Sequence, residues 1–382
     1  MELWKRNLYS LWCAQFIAAT VMSMVMPFLP LYIRELCVTS EESVKLWSGL
    51  IFAAPFMVAV FLQPLWGIMG DRYGRKPMVV RGMSGMALAM FLMGFARSAP
   101  QLLALRFFQG TISGFVAPSL ALLASCTPPE KTGQALGTLQ SGMVTGFILG
   151  PLLGGFLAHY MGYRAIFFWT AFFCLLGVLT VIKFVKETFV KQEKARGSGL
   201  QQNLRTVFHS PELRAMLLLL ILVQMSVQLV APFLSLYVEY LKVSPEYVAL
   251  MTGLVFGVTG VTNALGSPLW GKRADQIGYQ KVLWYCLVGM TISYLPQAFV
   301  TGAVQLLLLR AGLGVFVGGI QPTINTIVQR STAAEDRGGI YGIFMSGLLV
   351  GNVAGPLLGG VLSASFGLRP VFLITTGILG FT

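Results

Sequence analysis

The densest chemistry in the chain is the run Gly67-Ile68-Met69-Gly70-Asp71-Arg72-Tyr73-Gly74-Arg75-Lys76, which sets one carboxylate among three cations and three glycines. Glycine permits a tight turn, and a carboxylate so placed can pair with a guanidinium or accept from a helix N-terminus. Gly67, Asp71, Arg72, Gly74, Arg75 and Lys76 therefore form a candidate electrostatic latch. A basic loop that only marks topology would not need an acid, glycines and arginines in this register. A second feature is Arg106 with Gln109 inside an apolar run. An arginine at the centre of a membrane helix costs about 2.5–3.5 kcal/mol on insertion scales, so it must face protein or water. On residue types alone it reads equally as a snorkelling anchor and as a functional group. Carriers for a proton are otherwise scarce, because all 14 acids fall in loops or at the ends of apolar runs. The nearest are Glu35 and Glu239, ending the first and seventh runs, with Asp71 on the opposite side.

A third feature is the series Gly142, Gly146, Gly150-Pro151 and Gly154-Gly155. Glycines four apart make one helical face that admits a neighbouring backbone, and Pro151 bends the helix. Close packing alone is an adequate reading of that face. Uncharged polar side chains complete the inventory: Gln15, Thr20 and Ser23, then Gln109 and Ser113, then Gln224 and Gln228, Asn263, and Gln321 and Asn325. They are candidate walls of a largely apolar substrate cavity, although any single amide could equally bond a neighbouring helix. The 18 methionines would suit a re-packable site or simply fill the core.

Nothing in the sequence points to covalent chemistry, a metal or a cofactor. Gly266 to Arg273 nearly fits a phosphate-binding loop, but Arg273 replaces the required Ser or Thr and no strand precedes it. His159 and His209 stand near no partner motif, and the five cysteines have no metal-ligand spacing. Cys37 alone falls clearly in an external loop, so no structural disulfide is expected.

The elements that must position these residues follow from composition. Of 382 residues, 55% are hydrophobic and 11% charged, far from the quarter charged of soluble domains. At about 20 apolar residues per span and roughly ten per connection, the chain holds about twelve spans and no large extramembrane domain. Apolar runs fall near 8–33, 46–69, 78–96, 100–124, 134–160, 164–185, 213–238, 247–271, 280–300, 303–329 and 338–365, with a last one from 368. The first is too long for a signal-peptide core. With the N-terminus cytoplasmic, the outer side holds only Arg34, Lys45, Arg97, Arg164, Lys242 and Arg369, and Arg106 and Arg310 lie within runs. All other cations are cytoplasmic, so the net charge of +13 reports the positive-inside rule and not a nucleic-acid partner.

The halves repeat each other. Val25 to Tyr32 returns as Val230 to Tyr237, Pro64-Leu65-Trp66-Gly67 as Pro268-Leu269-Trp270-Gly271, and Arg106, Gly110, Gly114 and Pro118 as Arg310, Gly314, Gly318 and Pro322. Gly150-Pro151-Leu152-Leu153-Gly154-Gly155 returns as Gly355 to Gly360. A six-plus-six repeat of one orientation implies two bundles related by a pseudo-twofold, with a binding site between the halves near the midplane. We read 1–185 and 213–382 as the bundles, 186–212 as a cytoplasmic linker, and the chain as all-α. The offset of 205 also leaves only 13 residues from Pro370 to Thr382 for the twelfth span. These make about 20 Å of helix against a hydrocarbon core of about 30 Å, so that span is expected to be incomplete here.

These motifs resemble those of the major facilitator superfamily. Its signature loop has the form G-x-x-x-D-R-x-G-R-K, R-x-x-Q-G is its span-four motif, and G-x-x-x-G-P-x-x-G-G marks its antiporter branch. The second half keeps Gly271, Asp275 and Gly278 but has Tyr279-Gln280-Lys281 where the loop motif has Arg-Lys. Trp4 to Leu8, Met26 to Tyr32, Trp47-Ser48-Gly49 and Ala135 to Leu139 look like the MdtG group of twelve-span drug/proton antiporters. The resemblance implies export of amphipathic small molecules by alternating access, coupled to protons, in a bacterial inner membrane. It places proton transfer at Arg106 and Gln109 and the antiporter helix at Gly146, Gly150, Pro151, Gly154 and Gly155. A monomer surrounded by lipid is expected. A facilitator or uptake symporter for a small metabolite, or a membrane receptor or scaffold that moves nothing, are the alternatives. Members of that branch usually carry a protonatable carboxylate within a span, and none is found here.

Overall fold

Lipid offers no partner to a backbone N–H or C=O, so each apolar run must satisfy its own, and it does so as a helix. The computed structural model describes residues 2–187, 200–332 and 336–382, with every side chain there except those of Pro64, Ile68, Asp71 and Leu200. In chain order the helices are α1 (Leu3–Val25), α2 (Leu29–Glu35), α3 (Glu41–Tyr73), α4 (Arg75–Met93), α5 (Ala99–Ile112), α6 (Val116–Cys126), α7 (Thr132–Met161) and α8 (Tyr163–Phe184). They continue as α9 (Leu200–His209), α10 (Pro211–Val230), α11 (Leu234–Tyr240), α12 (Pro245–Ile277), α13 (Tyr279–Tyr294), α14 (Ala303–Arg330), α15 (Arg337–Phe366) and α16 (Leu368–Phe381). No strand occurs among the described residues.

Each predicted run is one helix or one interrupted pair. Single 3-10 turns separate α1 from α2 and α10 from α11, at Pro27 and Pro232, which cannot donate to the helical ladder. The fourth run is interrupted differently. Residues 113–115 are non-helical between α5 and α6, and Gly114 sits at φ +118°, a conformation that favours glycine. Its repeat, Gly318, lies inside the uninterrupted α14. Among the described residues, nine of these passages are long and apolar enough to cross a bilayer. Of the others, α13 and α16 have 16 and 14 residues, and α4 carries Arg75, Lys76 and Arg81. The chain is a multi-pass, all-α membrane protein.

Two compact units form. The first comprises Met1–Thr39, Ala54–Glu193 and Pro245–Gly257, and the second Ser40–Ala53, Lys194–Ser244 and Val258–Thr382. In the first unit α7 lies along α1 with bare backbone at the contact. A Cβ on Gly142 would meet the Trp12 carbonyl at 3.0 Å, one on Gly146 the Phe16 carbonyl at 2.6 Å, and those on Gly150 and Gly154 the Thr20 and Met24 carbonyls closer still. The second unit repeats the arrangement where α15 lies along α10. There Gly351, Gly355 and Gly359 face the carbonyls of Ile221, Met225 and Leu229. Lipid is as apolar as leucine, so membrane helices gain by close van der Waals approach, and a small-residue face makes that approach possible.

Gly155 lies off this face. Its Cβ would meet Ala249 O of α12 at 2.7 Å and the Gly253 Cα at 3.3 Å, all within the first unit. Its repeat Gly360 faces Lys45 O at 3.2 Å and the Gly49 Cα at 3.3 Å, within the second. Side-chain ties are duplicated too. Tyr32 and Tyr237 donate to the carbonyls of Met93 and Gln297 at 2.9 and 2.6 Å, and the indoles of Trp66 and Trp270 to those of Thr111 and Val315, both at 2.9 Å.

The polar segment read as a linker contains a helix. Residues 188–199, with Lys191, Glu193, Lys194, Arg196 and Gly197-Ser198-Gly199, lie outside the described residues. Beyond them α9 buries Val207 and Asn203 and packs on α10 and α15. The Asn203 amide occupies the space a side chain at Gly339 would need.

The packing makes a direct prediction. Gly150→Ala forces a methyl against Ser23 Oγ and the Thr20 carbonyl and should cost about 1–3 kcal/mol. Gly137→Ala, on the same helix with nothing within 4 Å, should be neutral. Thermal stability of the two purified variants in detergent checks this, and equal melting temperatures would contradict it.

Candidate functional site

Three places gather the polar residues. The first is the turn between α3 and α4. Gly74 adopts φ +100°, so α4 begins one residue after α3 ends. The first N–H groups of α4 have no intrahelical partner. Those of Arg75 and Lys76 donate to the two carboxylate oxygens of Glu187 at 2.8 and 2.9 Å. A carboxylate there both caps the helix and complements its dipole. The loop cations act in the opposite sense on other helix ends. Lys76 Nζ donates to the Ile182 and Val185 carbonyls at the end of α8, at 3.0 and 2.7 Å, and Arg75 Nη1 to the Ala121 carbonyl of α6 at 2.7 Å. Asn7 of α1 closes the same corner: its Nδ2 donates to the Lys186 carbonyl at 2.7 Å and its Oδ1 accepts from the Lys186 N–H at 3.0 Å.

Of the other latch candidates, Arg72 lies over the Tyr73 ring at 5.3 Å, and Gly67 has open space where a side chain would stand. The Asp71 side chain lies outside the described residues. Sequence reasoning passes over Glu187, which reads as one more linker charge. The available signal is its position directly after the sixth run, by parity on the side of the Asp71 loop. In the second copy Tyr279 donates to Asp275, and the Arg330 guanidinium lies over the Tyr279 ring at 4.4 Å.

The second place is α5. Arg106 is 1% exposed, so its guanidinium is enclosed by protein and does not snorkel. Nη1 donates to Gln109 Oε1 at 2.9 Å, while Nε and Nη2 have no hydrogen-bond partner among the described residues. Arg310, its repeat, is also buried and approaches the Tyr294 and Phe372 rings at 5.5 and 6.0 Å. Glu35 ends α2 and is exposed, and Glu239 lies in α11.

The third is a cavity of about 530 Å³ within the second unit, walled by α10, α12 and α14. Ligand pockets commonly run about 300–1,000 Å³. Gln224, Asn263, Gln321 and Asn325 line it, with Ser267 and the apolar Leu220, Val223, Val227, Val317 and Ile320. A Cβ on Gly318 would strike the Asn263 carbonyl, so α14 and α12 touch backbone to backbone beside the cavity. Gln224 Nε2 donates to Asn352 Oδ1 at 2.7 Å, and Gln321 Nε2 to Asn325 Oδ1 at 3.4 Å. The remaining polar candidates stand elsewhere. Thr20 and Ser23 donate to carbonyls of their own helix, Ser23 also to Gly146 O at 3.2 Å. Gln15 is buried against Met143, Ser113 stands at the α5–α6 break, and Gln228 backs Gly355.

The model of the Major Facilitator Superfamily matches residues 11–257 and 216–382. The multidrug resistance protein MdtG of Salmonella paratyphi B is 37% identical over 378 residues, covering 99% of this chain and 94% of that protein, and MdtG of Salmonella typhimurium matches equally. Among solved structures, the nucleoside transporter NupG superposes with a TM-score of 0.79 at 14% identity, over 98% of this chain and 96% of that one. A bacterial homologue of the human lysosomal transporter Spinster, inward-facing and unoccupied, gives 0.76 at 16% identity over 99% and 95%. At these identities the structures speak for the fold alone. The loop motif, the enclosed span-four arginine, the twofold glycine packing and the full-length match lead to one assignment: the chain belongs to the Major Facilitator Superfamily of transporters, alongside its MdtG members.

Proposed function

We propose that the chain exports amphipathic small molecules from a bacterial cell by proton antiport, as a monomer in the inner membrane with its N-terminus in the cytoplasm. The observation that carries this reading is the 37% identity to multidrug resistance proteins along 99% of the chain. The geometry supports it with a cavity of ligand size and with an enclosed arginine on span four. In alternating access, binding energy is useful only where it differs between the two states. We assign that difference on the cytoplasmic side to the Asp71 loop, whose turn Glu187, Lys76 and Arg75 fix to α8 and α6. Arg106 with Gln109 is our candidate for proton handling, because an enclosed guanidinium with two nitrogens unpartnered among the described residues responds strongly to any charge change beside it.

Everted membrane vesicles test the reading. With an acid interior they should accumulate at least one member of a panel of neutral, cationic and anionic amphiphiles, and a protonophore should abolish the accumulation. Equilibration indifferent to the gradient would point to a facilitator instead. In the same assay Asp71→Asn should slow transport about tenfold or more with substrate binding intact. An unchanged rate removes the latch role. Glu187→Ala deletes a helix cap and should cost about 1 kcal/mol of stability, read as a lower melting temperature in detergent. An unshifted melting temperature would show that the cap holds nothing.

A further inference from the structure

The cavity of the second unit carries more information than its size. Among the described residues that line it, none is charged and none is aromatic. A site for a lipophilic cation would need a carboxylate or ring faces to replace the ion's hydration, and a site for an anion would need a cation. What the walls offer instead is carboxamide and hydroxyl. Asn263 and Ser267 make no side-chain hydrogen bond to any described residue. Gln321 and Gln224 each donate once and keep a carbonyl oxygen free, while Asn325 accepts once and keeps its amino group free. Unused donors and unused acceptors thus face one space.

The chain contains its own control for whether the fold demands these groups. The repeat places Gln224, Asn263, Gln321 and Asn325 on Ala19, Ala59, Ala117 and Ala121 of the first half. The flanking frame is kept at the same offsets, Gly318 on Gly114 and Pro322 on Pro118. Alanine therefore stands at these places on the corresponding spans of the first half, although span four is broken at Gly114 where α14 is continuous, and the four amides belong to the second half alone. Gln224, Gln321 and Asn325 are half-buried and each keeps part of its hydrogen-bonding capacity unused, and Asn263 keeps all of its own, beside a space that a ligand or water can fill.

We infer that this cavity is a binding site for uncharged amphipathic molecules that present a hydrogen-bond donor and an acceptor on one edge beside an apolar body, and that it discriminates against permanent cations. This rests on the transport reading above and narrows its substrate class. A neutral edge pairs with Asn263, Gln321 and Asn325 in both directions, while the aliphatic walls take the apolar body. A quaternary cation offers no donor, and the cavity offers it no charge.

The test uses the full chain in lipid nanodiscs, with chloramphenicol, which carries an amide and two hydroxyls, against tetraphenylphosphonium. Equilibrium binding should favour chloramphenicol. Asn263→Ala and Gln321→Ala, which install the residues of the first half, should each weaken it about tenfold, the loss of one hydrogen bond, with melting temperatures within a few degrees of wild type. Tighter binding of tetraphenylphosphonium, or chloramphenicol affinity unmoved in both variants, overturns the inference. Flux in everted vesicles separates this from the broader reading. If tetraphenylphosphonium is the molecule pumped, the substrate class is wrong and the exporter stands. Amide-dependent binding of chloramphenicol without flux of any member of the amphiphile panel would support the site and remove the exporter.

Discussion

The structure depends on backbone meeting backbone without side chains between. Four glycines of α7 meet four successive carbonyls on one face of α1, and three glycines of α15 meet three on α10. In water such a stripe would be a weak helix with little to bury. In lipid the hydrophobic effect gives helices no reason to associate, and close approach is the available source of cohesion. The glycines therefore do in the membrane what leucines do in a soluble core. Pro151 and Pro356 sit within the same helices, where packed neighbours can make good the missing donors. Gly155 and Gly360 extend the close contact to α12 and α3 on another face of each helix.

On this shared frame the halves have diverged in what they carry. The first keeps the full loop motif, with Glu187 capping α4 and Lys76 and Arg75 reaching the ends of α8 and α6. The second keeps the glycine turn at Gly278 but fills it with the Asp275, Tyr279 and Arg330 cluster. The reverse holds for the amides of the second unit's cavity, whose repeat positions in the first half are alanines. Span four breaks at Gly114 while span ten runs through. Duplication supplied the packing, and the differences between copies mark where the two halves do different work.

Much of the fold was legible because it is written in periodicities that lipid enforces. Twelve apolar runs and the glycine faces follow from rules with little tertiary content, whereas the bends at Pro27 and Pro232 within the first and seventh runs appear only in the structure. What the sequence does not show is partnership. Glu187 is one acid among several in a polar stretch until α4 is seen to begin beside it. The helix α9 is hidden by its polar residues, since among its described side chains only Val207 and Asn203 are buried. Thr20 and Ser23 read like Gln224 or Asn263 in sequence, but a short hydroxyl can turn back to its own helix while a carboxamide reaches beyond it. The enclosure of Arg106 depends on neighbours from other helices, so residue type alone could not separate an anchor from a buried cation.

The claim that this fold and this frame serve drug export comes down to one measurement in living cells. In a bacterial host stripped of its own efflux pumps, expression of the chain should raise the inhibitory concentrations of chemically unrelated amphiphiles, and a protonophore should erase the rise. Unchanged susceptibility across the panel, with the protein present in the inner membrane, would contradict the account.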